Sequence, residues 1–349
     1  MRRRKAWAGV VACLLLMAAC RKDVAKAAGP PAAAPPFVIK FSDPGNAGVL
    51  AYAKKTGRLD APLAAVNARI EWVQAAGAFS ANFEAMNAGA INTSGGAVSP
   101  VIGALSHNLP FRIFAIYERA RSRQAGVIVP GTSPIKSIAE LAGKRVAVNL
   151  AAHGDYLLLR ALERAGVPAS RVERVAIQPP DAAAAFATGK LDGWSTFGIF
   201  FNTAVRNGAR VLAYEEDLES DDVGILSANA ASLATNPAAF DVLLRVVQEL
   251  TLEARQSPEN FQNIFVSKGP TAVSGPDLAL AIEDTRKLPL PHAPTAEDRV
   301  HIAAVAKLFY DNKSIDRPLT TDQVVFDLGE AVRAKGTAAV VQPEKPQAL

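Results

Sequence analysis

The sequence predicts an α/β protein built on parallel sheets. Strand and helix patterns alternate along most of the 349 residues, as parallel sheets with helical crossovers require. Half of the chain is hydrophobic, enough for a sizeable core. Aromatics make up 7% while alanine is abundant, which favours helices on sheets over an all-β barrel.

The elements follow in order. "FVIKFS" (37–42) reads as the first strand and "DPGN" (43–46) as a turn. "AGVLAYAKKTG" is a helix stopped by Gly57. "ARIEWVQ" alternates as a strand, "GAFSANFEAMNAG" holds a helix ending at Gly89, and "AINTSGG" reads as a strand with a glycine turn. "FRIFAIYE" is a further strand. The pattern then restarts. Ser137 and Glu140 have capping-box spacing, and Gly143 stops that helix before the strand "RVAV". "VERVAIQP" is a strand, and "PDAAAAFATGKLDGWSTF" is a helix, a glycine stop and a strand ending at Trp194. "AAFDVLLRVVQELTLEARQ" and "RVHIAAVAKLFYD" are long amphipathic helices expected to return to the first half. No repeat of fixed period is present.

The first twenty residues read as an export signal. A basic start, Arg2 to Lys5, precedes the apolar run Ala6 to Leu16 and then small residues. That run is too short to span a bilayer comfortably. It ends in "LMAAC", which resembles a bacterial lipobox, so Cys20 is the expected lipidation site. "RKDVAKAAGPPAAAPP" (21–36) then reads as an Ala/Pro-rich tether. The expected division is signal peptide 1–19, lipidated Cys20 with tether to 36, first lobe 37–124, second lobe 125–222, a return to the first lobe over 223–335, and a tail 336–349.

Several function classes are disfavoured. The formal charge of +5 falls to +1 without the four basic residues Arg2–Lys5, and no basic stripe with interleaved aromatics points to nucleic acid. The two cysteines, Cys13 and Cys20, both lie in the leader region, leaving no thiolate nucleophile or disulfide. The histidines His107, His153, His292 and His301 lack a metal-ligand spacing. No G-x-S-x-G elbow appears, so no catalytic residue, metal or cofactor is expected. "EEDLESDD" (215–222) packs six acids into eight residues without EF-hand spacing and reads as a solvated loop.

"AYAKKTGRL", "ARIEWVQAAGAFSANFEAMNAGAIN", "VPGTSPIKSIAELAGKRVAV", "YLLLRALERAGV" and "FATGKLDGW", in this order, resemble the solute-binding proteins of ABC importers, in the branch for nitrate, taurine and aliphatic sulfonates. The resemblance covers about Phe37 to Gln256. It implies a type II periplasmic-binding-protein fold: two lobes, each a mostly parallel sheet flanked by helices, joined by two crossover strands, with the solute in the cleft. It also implies a permease and its ATPase as transient partners, a monomer, a periplasmic or envelope location, and membrane attachment through the N-terminal lipid.

In the resembled family an anionic head group is held by helix mouths and nearby hydroxyls. A helix N-terminus supplies unpaired N–H groups and partial positive charge. Three mouths are candidates here: "AAHGD" with His153, Gly154 and Asp155; "GAFS" with Phe79 and Ser80; and "NTSGG" with Ser94, Gly95 and Gly96. Asn46 in the first turn, and Trp194 and Phe197 as an apolar wall, complete the candidate ligand-binding set. The sequence departs from the family at Ala151, Ala152 and His153, where a Gly/Ser-rich turn is usual, and in "WSTFGIFF", which lacks the usual aspartate and proline. Asp155 either caps its helix, leaving His153 on the rim, or faces the cleft and favours a solute that also carries an amine. The leading solute is an aliphatic sulfonate or taurine-like anion. Nitrate, a neutral or heterocyclic solute such as a thiamine precursor, a sensor, and an enzyme on this fold are the alternatives. Sulfinate-cleaving enzymes of this fold use a cysteine that this chain lacks beyond Cys20.

Overall fold

Ile39 and Phe41 are buried while Lys40 between them stays half-exposed, the period-two pattern that makes "FVIKFS" a strand. The computed structural model describes residues 34–74, 82–117, 123–269 and 271–340. The first half runs β1 (Phe37–Ser42), α1 (Val49–Thr56), α2 (Asp60–Ala64), β2 (Ala68–Val73), α3 (Phe83–Asn87), β3 (Thr93–Ala97), α4 (Val98–Ser106) and β4 (Phe111–Tyr117). The next part is β5 (Ala125–Val129), β6 (Arg145–Val148), α5 (His153–Arg164), β7 (Glu173–Ala176), α6 (Pro179–Ala187), β8 (Gly193–Phe197), α7 (Gly198–Arg206) and β9 (Arg210–Tyr214). Then come β10 (Gly224–Asn229), α8 (Ala230–Thr235), α9 (Pro237–Gln256), α10 (Gly275–Arg286), α11 (Ala296–Asp311), α12 (Thr321–Val324) and α13 (Leu328–Val340).

Two five-stranded sheets result, ordered β2-β1-β3-β10-β4 and β7-β6-β8-β5-β9. In the first, β1 pairs parallel with β2 and β3, while β10 runs antiparallel to both β3 and β4. In the second, β6 pairs parallel with β7 and β8, while β5 runs antiparallel to both β8 and β9. Each sheet is therefore parallel except for one reversed strand. That strand is the first one the chain forms after passing from the other sheet: β5 on the way out, β10 on the way back.

Three apolar clusters hold these layers. Phe41, Ala115 and Leu226 on one face of the first sheet pack against Phe240, Leu243, Val247 and Leu250 of α9. Ile128, Ala147 and Trp194 on one face of the second pack against Ala182 and Phe186 of α6 and Phe201 of α7. The remaining faces share a single core through α4 (Val98, Val101, Ile102), α5 (Tyr156, Leu157, Leu158) and α11 (Ile302, Val305, Phe309). Burying each large apolar side chain contributes about 1.5–3 kcal/mol.

Local signals explain the boundaries. Gly57 ends α1 at φ 67°, where a side chain would be strained. Thr295 and Asp298 form a reciprocal capping box at α11. Four expectations need correction. Gly95 and Gly96 lie inside β3, not in a turn, because β10 extends the ladder alongside them. β8 runs on past Trp194 to Phe197. Ser137 and Glu140 meet side chain to side chain at 3.1 Å beside a short 3₁₀ turn, without the capping-box bond from the Glu140 amide to the Ser137 hydroxyl. The acidic run 215–222 is not wholly solvated: Leu218 and Asp222 are buried. α11 also differs, since it packs on α4 and α5 together.

Candidate functional site

A cavity of about 380 Å³ opens where β1 ends and beside the first half of β3. Ser42, Asp43, Pro44, Ala47, Gly48, Val49 and Leu50 supply one end, as the chain leaves β1 and enters α1. Ser94 and Gly95 of β3, Leu226 of β10 and Tyr117 of β4 continue its wall across the sheet. Val247 and Thr251 of α9, with Leu288, Pro289 and Pro291, close it from above. All these residues belong to the first sheet, the helices on it, or the segment after α10. The expected interlobe cleft is thus not what this cavity presents.

The α1 mouth gives the cavity its electrostatics. The first N–H groups of a helix have no intrahelical acceptor. Gly48 N–H donates to Phe261 O, but the amides of Val49, Leu50 and Ala51 meet no acceptor among the described residues. The nearby carboxylate of Asp43 is already committed. Its oxygens accept from Lys54 Nζ at 2.5 Å and Gly45 N at 2.9 Å. Burial works to raise the Asp43 pKa, but the Lys54 hydrogen bond, the Gly45 amide and the Lys54 charge outweigh it and hold the carboxyl below its ordinary value. Lys54 also lies 5.1 Å from the Phe265 ring centroid. The hydroxyls of Ser42 and Ser94 sit 2.9 Å apart. The cavity thus joins an open helix mouth and a neutralised carboxylate to an apolar wall, while the Ser42 and Ser94 side chains alternate to the sheet face opposite Gly95 and Leu226.

At two other helix mouths, α4 and α5, the protein supplies its own acceptors. At α4, Asp222 accepts from Ser99 N at 2.7 Å and from the Ser99 hydroxyl. The same carboxylate meets His153 Nδ1 at 2.7 Å, and Glu215 stands 3.6 Å from His153 Nε2. At α5, Asn149 Oδ1 accepts from Gly154 N at 2.8 Å, and Asp155 accepts from Ala151 N at 3.0 Å. Asp155 is fully buried and paired with Arg174 at 2.9 Å. Arg174 in turn reaches Ser314 Oγ and Asn312 O.

These bonds decide where the expected site residues stand. Asp155 is a buried internal anion rather than a cleft carboxylate, and His153, 2% exposed, is not on the rim. Gly154 is buried, and a Cβ there would stand 2.4 Å from Asn149 Oδ1, so no group fits beside it. Asn46 is withdrawn as a hydrogen-bonding ligand contact. Its amide donates to Val266 O and Thr271 O and accepts from Phe265 N and Val266 N, which spends its capacity on that loop. Trp194 is a core residue between Phe186 and Phe200 rather than a cleft wall. Phe197 is half-buried, edge-on to His153 at 5.0 Å. Gly96 pairs with Ile225 within the sheet. Ser94 and Gly95 line the cavity. Phe79, Ser80 and Cys20 lie outside the described residues. No group of three metal-ligating side chains occurs among the described residues.

Sequence reasoning missed the Asp43–Lys54 pair, the Asp222 cap and the apolar end of the cavity. "DPGN" contains Asp43, and "LPLP" (288–291) is a rigid, apolar word that marks the upper wall. Val247 and Thr251 sit in an ordinary amphipathic pattern and carry no separate signal.

The chain is similar to known proteins in sequence and in fold. An Escherichia coli (strain K12) protein named for binding aliphatic sulfonates is 27% identical over 263 residues, covering 74% of this chain and 79% of its own. The taurine-binding periplasmic protein of the same strain is 31% identical over 120 residues, 34% of this chain and 36% of its own. The alkanesulfonate-binding protein SsuA from Xanthomonas axonopodis pv. citri, solved with bound MOPS, superposes with TM-score 0.71 at 20% identity, over 84% of this chain and 100% of that one. The fold is therefore the two-sheet periplasmic-binding-protein architecture. The profile described as NMT1/THI5 like matches residues 85–261, from α3 through β10 to the end of α9, half of the chain, and the chain belongs to that family.

Proposed function

We propose that this chain is an extracytoplasmic solute-binding lipoprotein that captures a small organic anion, an aliphatic sulfonate, and hands it to an ABC permease driven by a cytoplasmic ATPase. The observation that carries this reading is the unfilled α1 mouth over the cavity, next to a carboxylate that Lys54 has neutralised. A sulfonate head placed there meets amide donors and the positive end of the helix. The apolar wall suits a carbon tail, and the names of the relatives support the same solute class.

In this reading residues 1–19 are a cleaved signal, Cys20 carries the lipid, and 21–36 tether the fold to the membrane in the periplasm. Residues 37–124 and 223–335 form one lobe and 125–222 the other. The cavity lining comes wholly from the first of these lobes, so closure in this reading requires the second lobe to meet the solute's open side and bind it better in the closed state. The closed form docks on the permease. In this reading the chain acts as a binder, as the names of its relatives support, and it carries no cysteine after Cys20.

The test is a thermal-shift panel on purified protein with alkanesulfonates, taurine, nitrate, sulfate, thiamine precursors and amino acids. A ligand at 100 times its Kd adds about 2.7 kcal/mol of stability. Stabilisation by alkanesulfonates supports the reading. Stabilisation by a neutral or heterocyclic solute alone overturns it.

A further inference from the structure

We propose that this cavity sorts its solutes by their carbon tail, with Gly95 and Leu288 setting which tails fit; this rests on the sulfonate reading above. The strand order carries the argument. Reading across the sheet, the lining residues are Ser42 on β1, Ser94 and Gly95 on β3, Leu226 on β10 and Tyr117 on β4. Adjacent strands are about 4.8 Å apart, so these four strands span roughly 14 Å. The α1 mouth and the Asp43–Lys54 pair stand at the β1 end. Over β10 and β4 the lining turns mostly apolar: Leu226, Val247, Leu288, Pro289, Pro291 and the ring of Tyr117, which also carries a phenolic hydroxyl. The one other polar side chain at that end, Thr251, donates its hydroxyl to Val247 O of its own helix.

Gly95 lies between the two ends. It pairs directly with Leu226, so both occupy the same face of the sheet. Its φ is outside the left-handed region, so the backbone does not demand glycine. Nor does crowding. A Cβ at Gly95 would meet Leu226 Cδ2 and Ile225 O at 3.8 Å, ordinary contact distance. What the missing side chain leaves is room, and that room joins the head end to the tail end.

The far wall is held in place. Leu288 O accepts from Arg255 Nε at 2.6 Å and Pro291 O from Gln248 Nε2 at 2.7 Å, both on α9. His292 and Ile116 exchange backbone hydrogen bonds at 2.8 Å. A strap fixed at three points, with two prolines inside it, gives the tail a defined end. The site therefore takes an alkyl- or aryl-sulfonate with an uncharged tail. Nitrate and sulfate lack the tail. Taurine would bring an ammonium toward a wall with no carboxylate on it, since Asp43 is at the other end and is held by Lys54.

The test is calorimetric titration of the purified protein with methane-, ethane-, butane- and hexanesulfonate, and with taurine. Each methylene that enters the cavity should tighten binding roughly fourfold until the far wall is reached. Taurine should bind at least about tenfold more weakly than ethanesulfonate, the same head and two-carbon chain without the ammonium. The readout for the variants is the ratio of hexanesulfonate to methanesulfonate affinity. Gly95→Val should cut it about tenfold or more by blocking the passage, whereas Leu288→Ala should extend the series to longer chains. Leu288 is half-buried on the strap, so its variant reports on the tail even if Gly95→Val fails to fold. Alkanesulfonates that bind with no chain-length dependence, or a ratio unchanged in both variants, would overturn the tail assignment and leave the head-group reading standing. If no sulfonate binds at all, the head-group reading is what has failed, and the tail assignment goes with it.

Discussion

A carboxylate set against the first turn of a helix does what a bound anion would do, and it removes that turn from the list of ligand seats. Asp222 does so at α4 and Asp155 beside α5. Asp222 is 1% exposed and accepts from Ser99 and His153, so its loss strands several buried donors. Asp222→Asn should cost roughly 3 kcal/mol or more in urea unfolding; a loss below about 1 kcal/mol would show that the network carries little. Asp43 behaves differently because it titrates beside the open mouth. Its folded pKa lies below the unfolded value, so its contribution is present above the ordinary carboxylate range and is lost as pH falls through the folded value. Lys54→Met removes that contribution. The stability gap between wild type and Lys54→Met, measured from urea midpoints, should therefore shrink between pH 7 and pH 3. The same substitution should weaken sulfonate binding at pH 7 by exposing a bare carboxylate, and adding Asp43→Asn should restore part of it.

At the scale of elements, the alternation of strands and helices was plain in the sequence, because period two and period 3.6 are local properties. Gly57, Gly89 and Gly143 all fall at left-handed positions where the sequence places stops. What was not legible was which helix mouth stays open. "AAHGD" resembles a seat, yet His153 and Asp222 are 69 residues apart, and Ser99 and Asp222 are 123 apart. No local pattern reports a cap that arrives from so far along the chain. The glycine pair at 95–96 resembles a turn for the same reason: its pairing partner, β10, lies far along the chain. α4 and α5 also approach more closely than the sequence suggests. A Cβ at Gly103 would stand 2.2 Å from Ala151 O, and Ala151 itself is held at φ 52°. Gly103→Ala should therefore destabilise by roughly 1–3 kcal/mol in a denaturant titration. A neutral result would mean the two helices part easily.

For the molecule as a whole, the two sheets repeat one plan, each with a single reversed strand, and they share the core around α4, α5 and α11. A shared core couples their stabilities. Unfolding followed through Trp72 on β2 and Trp194 on β8, each isolated by replacing the other tryptophans, should give coincident transitions. Separate midpoints would mean the sheets fold independently. Within this architecture the α1 mouth stands open over the cavity, its Val49, Leu50 and Ala51 amides meeting no acceptor among the described residues, and the solute head is placed there. A crystal structure of the protein with butanesulfonate tests that placement most directly. Sulfonate oxygens should lie about 2.7–3.2 Å from the Val49, Leu50 or Ala51 amides, with the butyl chain running over Gly95 toward Leu288. A sulfonate bound at the α5 mouth, displacing Asn149 or Asp155, would contradict it.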